Sequence, residues 1–100
     1  MREPAVADVF AALGNGTRLA LLRYVLHEEH CVSQCTVHVG LTQGAVSKQL
    51  VALADAGLLS QRRSSRRIYY RVSDPDAISR LIAVAEALAE KAPIMVAVRR

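Results

Sequence analysis

The residues best suited to metal or redox chemistry are two cysteines and a histidine in the first half of the chain. Cys31, Cys35 and His38 lie four and then three residues apart, so on a helix they share one face. Two thiolates and an imidazole suit a soft, thiophilic ion. Cys31 opens its predicted helix, where the dipole lowers a thiol pKa, and the adjacent Glu29 and His30 predict a position near solvent. Free cysteines are also often buried, and that alternative is favoured for Cys35.

A second chemical signal is a run of arginines with no acidic residue among them. Five arginines lie between Asp55 and Asp74, whereas the formal net charge of the whole chain is +4. They are Arg62, Arg63, Arg66, Arg67 and Arg71. Guanidinium groups bind phosphate oxygens and enter narrow minor grooves. The alternative is a solvated hairpin whose charges prevent edge aggregation.

Length and composition bound what can position these residues. The chain has 100 residues, of which 52% are hydrophobic, 22% charged and only 4% aromatic. We expect residues 1–100 to form one domain rich in packed helices, too small for a large multi-part enzyme. The high apolar fraction predicts a surface buried against a second copy of the chain. The positive charge favours a polyanionic partner.

Apolar periodicity predicts two helices in the first quarter of the chain. Val6, Val9, Phe10 and Leu13 follow helical spacing after Pro4. The segment Gly14–Thr17 breaks this pattern, and either Asn15 or Thr17 can cap the next helix. That helix is predicted from Arg18 to about Leu26 and is apolar nearly all round, which is typical of the centre of a core.

The next two helices form a helix-turn-helix pattern. One is predicted from Cys31 to Val39, closed by Gly40, and the other from Gln43 to about Ala56, capped by Thr42. Val46, Leu50 and Leu53 form the buried stripe of the second helix. This stripe leaves an exposed polar face at its start, made of Thr42, Gln43, Gly44, Ser47 and Lys48.

That polar face has residues that can contact DNA. Gln43 can bond adenine in the major groove, and Ser47 and Lys48 can bond a base edge or a phosphate. Gly44 has no side chain, so the helix start could approach a DNA backbone closely. The alternative for each residue is an ordinary polar position on a solvated helix, but their combination favours DNA.

The remaining third of the chain predicts a β-hairpin and one long helix. From Leu58 to Val72 the apolar residues alternate, with the hairpin tip at Ser64 and Ser65. Asp74, Pro75 and Asp76 restart a helix, whose apolar seam runs from Ile78 to Ala89 before Pro93 ends it. The predicted fold is therefore mainly α with a small β-hairpin, about five helices plus a two-stranded wing.

The location of the protein is predicted from what the sequence lacks. No stretch of about 20 apolar residues exists, and the N-terminus, with an acid and Pro4, does not resemble a signal peptide. Two cysteines four residues apart do not make a secreted disulfide framework. We expect a cytoplasmic protein without a membrane partner.

The segments ALGNGTRLALLRYV, GLTQGAVSKQLVALADAGLL and RRIYYRVSD resemble, in order and spacing, the ArsR/SmtB family of winged-helix repressors. The resemblance covers most of the chain. It implies a homodimer on double-stranded operator DNA, with two recognition helices in successive major grooves and release by an effector. It also implies that the first and last helices pair, through Val6, Val9, Phe10, Ile78, Leu81, Ile82, Ala85 and Leu88. The chain departs from the family where a histidine is common, at Lys48 or Gln49, and at the wing tip, where a glycine is common.

The resemblance also bears on the effector. Cys31 aligns with the first cysteine of the family's ELCVCDL-type metal site, but Ser33 replaces the second and Cys35 takes a position that is usually a core leucine. The family's other metal site maps to Asp74, Asp76, Ala87 and Glu90. Both of its usual histidines are missing, so a zinc site of that kind is not expected.

These observations favour a DNA-binding repressor that senses a thiophilic metal, metalloid or oxidant through Cys31, either alone or with Cys35. His38 is a further candidate ligand. An enzyme is not expected, because no phosphate loop, zincin spacing or nucleophile elbow is present. The alternatives are a winged-helix module that dimerises or binds protein, and a DNA-binding regulator that has no metal effector.

Overall fold

The computed structural model describes residues 2–99, with side chains described for residues 2–91. In that part of the chain the elements follow in the order α1 (Glu3–Leu13), α2 (Gly16–Tyr24), β1 (His30–Cys31), α3 (Val32–Val39), α4 (Gln43–Asp55), β2 (Leu59–Ser64), β3 (Arg67–Val72) and α5 (Pro75–Arg99). The predicted mainly α fold with five helices and a hairpin is confirmed.

Polar side chains determine where three of the helices begin. Asn15, Thr42 and Asp74 each accept a hydrogen bond from the backbone N–H three residues further on, at 3.0, 3.2 and 3.1 Å. Such a bond satisfies an amide that a helix start leaves without a partner, and it contributes about 1 kcal/mol. The cap at Asn15 starts α2 two residues before the predicted Arg18.

The centre of the core lies between α2 and α4. Val46, Leu50 and Leu53 of α4 have no exposed surface, which confirms the predicted stripe. They belong to one buried cluster with Leu21 and Leu22 of α2, which are equally inaccessible. Burial of each such side chain contributes about 1.5–3 kcal/mol. This packing sets which face of α4 points outwards.

A third strand joins the hairpin, which corrects the predicted two-stranded sheet. β1 pairs antiparallel with β3, so that His30 lies opposite Tyr70 and Cys31 opposite Tyr69. On the other side of β3, Arg62 of β2 lies opposite Tyr69. Cys31 is therefore a strand residue and the N-cap of α3, not its first helical residue. A strand of two residues is too short to produce a period-two pattern in the sequence.

The wing, defined here as β2 and β3, turns at Ser65 and Arg66. Its register runs from Leu59 opposite Val72 to Ser64 opposite Arg67. Ser65 has a φ of 58°, in the left-handed region, which costs a residue other than glycine about 1 kcal/mol. The serine thus holds the conformation that a glycine adopts without strain.

The last helix continues past the proline that was predicted to end it. α5 runs to Arg99 and includes Pro93. Proline cannot donate the hydrogen bond to the carbonyl four residues earlier, but that residue, Ala89, is exposed, so water can satisfy the carbonyl. Among the described residues no single helix is long and apolar enough to cross a membrane, although α1 and α2 taken together across their 88° bend pass the same test of length and composition.

Candidate nucleic-acid interface and thiol site

The start of α4 presents the polar face that the sequence predicted. Gln43, Gly44 and Lys48 are exposed, and Ser47 is half-buried. A Cβ added at Gly44 would meet no atom within 4 Å, so the space in front of this turn is open. The hydroxyl of Thr42 accepts the N–H of the third helical residue and is used as a cap. We call α4 the recognition helix.

The wing and the recognition helix meet in one crevice. Gln43 and Ser47 from the recognition helix line it on one side, and Arg66 and Arg67 from the wing line it on the other. The crevice has a volume of about 240 Å³ and also includes Cys31. We call it the interface crevice. The polar helix face and the basic wing are therefore adjacent, as the sequence interpretation requires.

One of the predicted phosphate-binding arginines is already paired. Arg62 donates to both carboxylate oxygens of Glu29, at 2.5 and 3.2 Å, and its guanidinium lies 4.7 Å from the centre of the Tyr69 ring. The bond from Arg62 holds the pKa of Glu29 below its usual range. Glu29 lies 33 residues before Arg62 in the sequence. The search for acidic residues near the arginines in the sequence therefore did not include it.

The other wing arginines remain exposed. Arg63, Arg66, Arg67 and Arg71 have high solvent accessibility, and among the described residues none of them lies in an ion pair. These four side chains lie on the two strands of the wing and in the turn between them, and they give the wing a positive charge. Of these, Arg66 and Arg67 extend that positive charge up to the start of the recognition helix.

Cys31 is buried, contrary to the expectation that its polar neighbours keep it near solvent. Its exposed fraction is 2%, and it lies on β1, which pairs with β3. The sulfur lies 3.2 Å from the Ser33 hydroxyl, and the backbone N–H groups of Ser33 and Gln34 also face it. These donors, with the charge of Arg67, lower the pKa of Cys31 against the opposing effect of burial. The thiolate is thus stabilised chiefly by hydrogen bonds.

Cys35 and His38 do not join Cys31 in a ligand group, which corrects the expectation that the three share one face. Cys35 has no exposed surface and belongs to the core, where burial raises its pKa to about 11. His38 is exposed on the far end of α3. Among the described residues no three His, Cys, Asp or Glu side chains are placed to hold a metal ion.

His38 instead takes part in an aromatic stack that sequence reasoning missed. The ring of Tyr24 lies between the rings of His30 and His38, with both pairs of ring centres 3.9 Å apart and nearly parallel. The stack attaches the end of α2 to β1 and to α3. These residues come from three separate elements, so their spacing in the sequence predicts no contact.

The residues predicted for a dimer interface differ in their exposure. Phe10 and Leu88 are 63% and 65% exposed, and Val6 is also exposed. Ile78 and Ile82 are instead buried within the chain's own core. Of the other predicted residues, Ala85 is exposed and Val9 and Leu81 are half-buried. Val84, which sequence reasoning missed, is 58% exposed and lies one helical turn before Leu88.

Comparisons with known proteins agree with this arrangement. Residues 15–61 match the model of the family described as bacterial regulatory protein, arsR family. A homodimeric winged helix-turn-helix DNA-binding domain from Mycobacterium bovis is 34% identical with a TM-score of 0.77, covering 88% of this chain and 81% of that one. The chain belongs to the arsR family. Its family and its winged helix-turn-helix fold are those of transcriptional regulators, not of enzymes.

Two further relatives of this arsR-family chain have names that include a metal or metalloid. A probable mercury resistance operon repressor from Streptomyces lividans is 39% identical over 83% of this chain and 66% of the relative. The structure of an antimony-specific transcriptional repressor is 35% identical with a TM-score of 0.73, covering 90% of this chain and 81% of that one. The chain spans just under two thirds of the length of the mercury repressor.

Alkylation should distinguish the two cysteines of this arsR-family protein. Because the thiolate is the reactive form, the lowered pKa of Cys31 predicts labelling by iodoacetamide at pH 7.5 about ten times faster than at Cys35, measured by peptide mass spectrometry. The rate at Cys31 should reach half its maximum below the ordinary thiol pKa. The Cys31→Ser protein should stay unlabelled until it is denatured, and faster labelling of Cys35 in the folded protein would contradict this assignment.

Proposed function

We propose that this arsR-family chain is a transcriptional repressor that binds operator DNA as a homodimer. The observation that carries the proposal is the interface crevice, where Gln43 and Ser47 of the recognition helix meet Arg66 and Arg67 of the wing. A helix start that bears base-reading side chains, flanked by phosphate-binding cations, matches the surface of a DNA duplex. Family membership supports the same function.

The residues divide into two roles. Gln43, Ser47 and Lys48 enter the major groove, where Gln43 is suited to bond adenine. Arg63, Arg66 and Arg67 contact phosphates or the minor groove, and they supply most of the affinity. Arg62 contributes less than its position on the wing suggests, because Glu29 holds its guanidinium.

Removal of two wing arginines tests the phosphate contacts. The Arg66→Ala, Arg67→Ala protein should bind every DNA sequence more weakly, and its slope of log affinity against log salt should flatten by about 2, since each phosphate contact contributes roughly one counterion. Fluorescence anisotropy across a salt series measures both quantities. Arg62→Ala is the matched control. It should change the salt slope by less than Arg66→Ala or Arg67→Ala does alone.

Variants of the recognition helix should behave differently from the arginine variants. Gln43→Ala or Ser47→Ala should reduce discrimination between operator and shuffled DNA, with little change in the salt slope. Equal binding by the double arginine variant and the parent at every salt concentration would show that the wing does not contact phosphates. A parent that binds neither duplex would overturn the DNA-binding proposal and favour a protein-interaction module instead.

We further propose that the dimer forms through α1 and α5. Val6, Phe10, Val84 and Leu88 expose large apolar side chains on these two helices, and exposed apolar patches of this kind mark interaction sites. A groove of about 290 Å³, lined by side chains of α1, α2 and α5, lies beside them. The Mycobacterium bovis relative is itself homodimeric. On this proposal residues 1–100 act as one DNA-binding domain.

A charge at Leu88 should weaken the dimer. In a two-fold interface each substitution removes two buried leucines, so Leu88→Lys should raise the dimer dissociation constant about 100-fold. Sedimentation equilibrium measures this change. Val37→Lys, at a position on α3 that is 84% exposed, should leave association unchanged. Equal dissociation constants for the parent and Leu88→Lys would exclude this interface.

We propose that Cys31 is the effector site. Its thiol has a lowered pKa and lies in the interface crevice beside Gln43 and Arg67. A soft cation that replaces the thiol proton, or an oxidant that modifies the sulfur, adds bulk and charge where DNA must bind. Relatives named for mercury and antimony support a thiophilic ion.

Gel shifts with added ions test the effector. We expect Hg²⁺, arsenite or antimonite to lower the parent's affinity for DNA at least about tenfold. The affinity of Cys31→Ser should change much less. Cys35→Ala is the control and should respond like the parent. An unchanged response of Cys31→Ser would remove Cys31 as the sensor. A parent that no ion or oxidant releases would indicate a regulator without such an effector.

A further inference from the structure

One guanidinium joins three helices. Arg18, near the start of α2, donates from Nε to the carbonyl of Ala12 at 2.6 Å and from Nη2 to the carbonyl of Ala11 at 3.0 Å. Its Nη1 donates to Oε1 of Gln49 at 2.7 Å. The first two acceptors lie in the last turn of α1, and the third lies on the recognition helix.

The bond to Ala12 satisfies a carbonyl that needs a partner, while the carbonyl of Ala11 also accepts the backbone N–H of Gly14 at 3.3 Å. The carbonyls at the end of a helix have no donor within it, and a cation there is favoured by the helix dipole. Arg18 is half-buried, and Asp8 and Asp55 line the same groove beside it. Hydrogen bonds from a charged donor in such a place are stronger than those between neutral groups.

The fork of Arg18 adds to a small apolar contact between α1 and the rest of the subunit. All residues of α1 are described, and Ala12 is its only buried one. Val9 and Leu13 are half-buried and pack against the core, while Phe10 and Val6 are exposed. Because few apolar side chains secure α1, the bonds of Arg18 contribute to its angle to the recognition helix.

We propose that Arg18 and Gln49 form a clamp that positions the recognition helix relative to α1, and through it relative to the second subunit. This inference rests on the proposed function, in which α1 contributes to the dimer and the recognition helix reads the operator. Two recognition helices must reach major grooves about 34 Å apart. If the angle between α1 and the recognition helix changes, both subunits change alike. Each subunit then adds its own shift to the separation of the two recognition helices.

The clamp should therefore affect operator binding more than binding to other DNA. Phosphate contacts tolerate small shifts of the protein, whereas contacts to base edges need a fixed register. Arg18 and Gln49 are positioning residues, since neither needs to touch DNA.

Gln49→Met tests the clamp with the least disturbance. Methionine keeps the length of the side chain, removes the acceptor, and leaves both bonds from Arg18 to α1 in place. We expect the ratio of operator affinity to non-specific affinity to fall about tenfold, the loss of one hydrogen bond to a charged group. The probes are a duplex from the promoter region of its own gene and a shuffled duplex of equal length.

Gln49→Glu is the rescue variant, because a carboxylate accepts the same bond from Arg18. Its negative charge weakens binding to both duplexes, but the ratio should stay near that of the parent. Arg18→Met provides the coupling test. On that background Gln49→Met should lower the ratio by less than about twofold, since the bond is already absent.

Thermal unfolding and sedimentation equilibrium of each variant separate positioning from stability. Gln49→Met should keep the dimer and a melting temperature within a few degrees of the parent. The clamp is refuted if Gln49→Met loses the same affinity for operator and for shuffled DNA. It is also refuted if the ratio of operator to non-specific affinity falls as far in Gln49→Glu as in Gln49→Met. A parent that prefers neither duplex refutes the proposed function itself, a result visible before any variant is compared.

Discussion

Burial of one face of the recognition helix is the constraint on which the rest of the molecule depends. Val46, Leu50 and Leu53 have no exposed surface, and a rotation of α4 by one residue, about 100°, would bring a leucine into water at a cost of about 2 kcal/mol. The face that bears Gln43 and Ser47 therefore points outwards because the opposite face is apolar. Hydrophobic packing, and not the polar residues themselves, sets the orientation of the helix that would read DNA.

The central strand of the sheet connects chemistry to that helix. β3 pairs with β1 on one side and β2 on the other, so Cys31, Tyr69 and Arg62 form one row across three strands. The same arrangement brings Glu29 to Arg62 and leaves the other wing arginines free of ion pairs among the described residues. A thiol with a lowered pKa and two arginines of the wing thus both line the interface crevice.

Local features of the fold could be predicted because they depend on neighbours in the sequence. The caps at Thr42 and Asp74, the buried stripe of α4 and the hairpin each involve residues within a few positions of one another or a repeating pattern. Two of the errors arose where distant segments meet. Cys31 was expected near solvent from its polar neighbours, but it is buried in β1, which pairs with β3. Ile78 and Ile82 were assigned to a dimer surface, although the subunit's own core buries them.

By itself, the sequence determined the order of the helices, the basic wing and the polar face of the recognition helix, since periodicity, capping and clustered charge are short-range properties. Only the tertiary structure decided which of those groups remain available. Arg62 is held by Glu29 across 33 residues, and Arg18 by Gln49 across 31. Cys35 is buried in the core, and the His38 ring stacks on the Tyr24 ring. Such pairings follow from how packed elements bring distant side chains together, and no pattern along the chain encodes that distance.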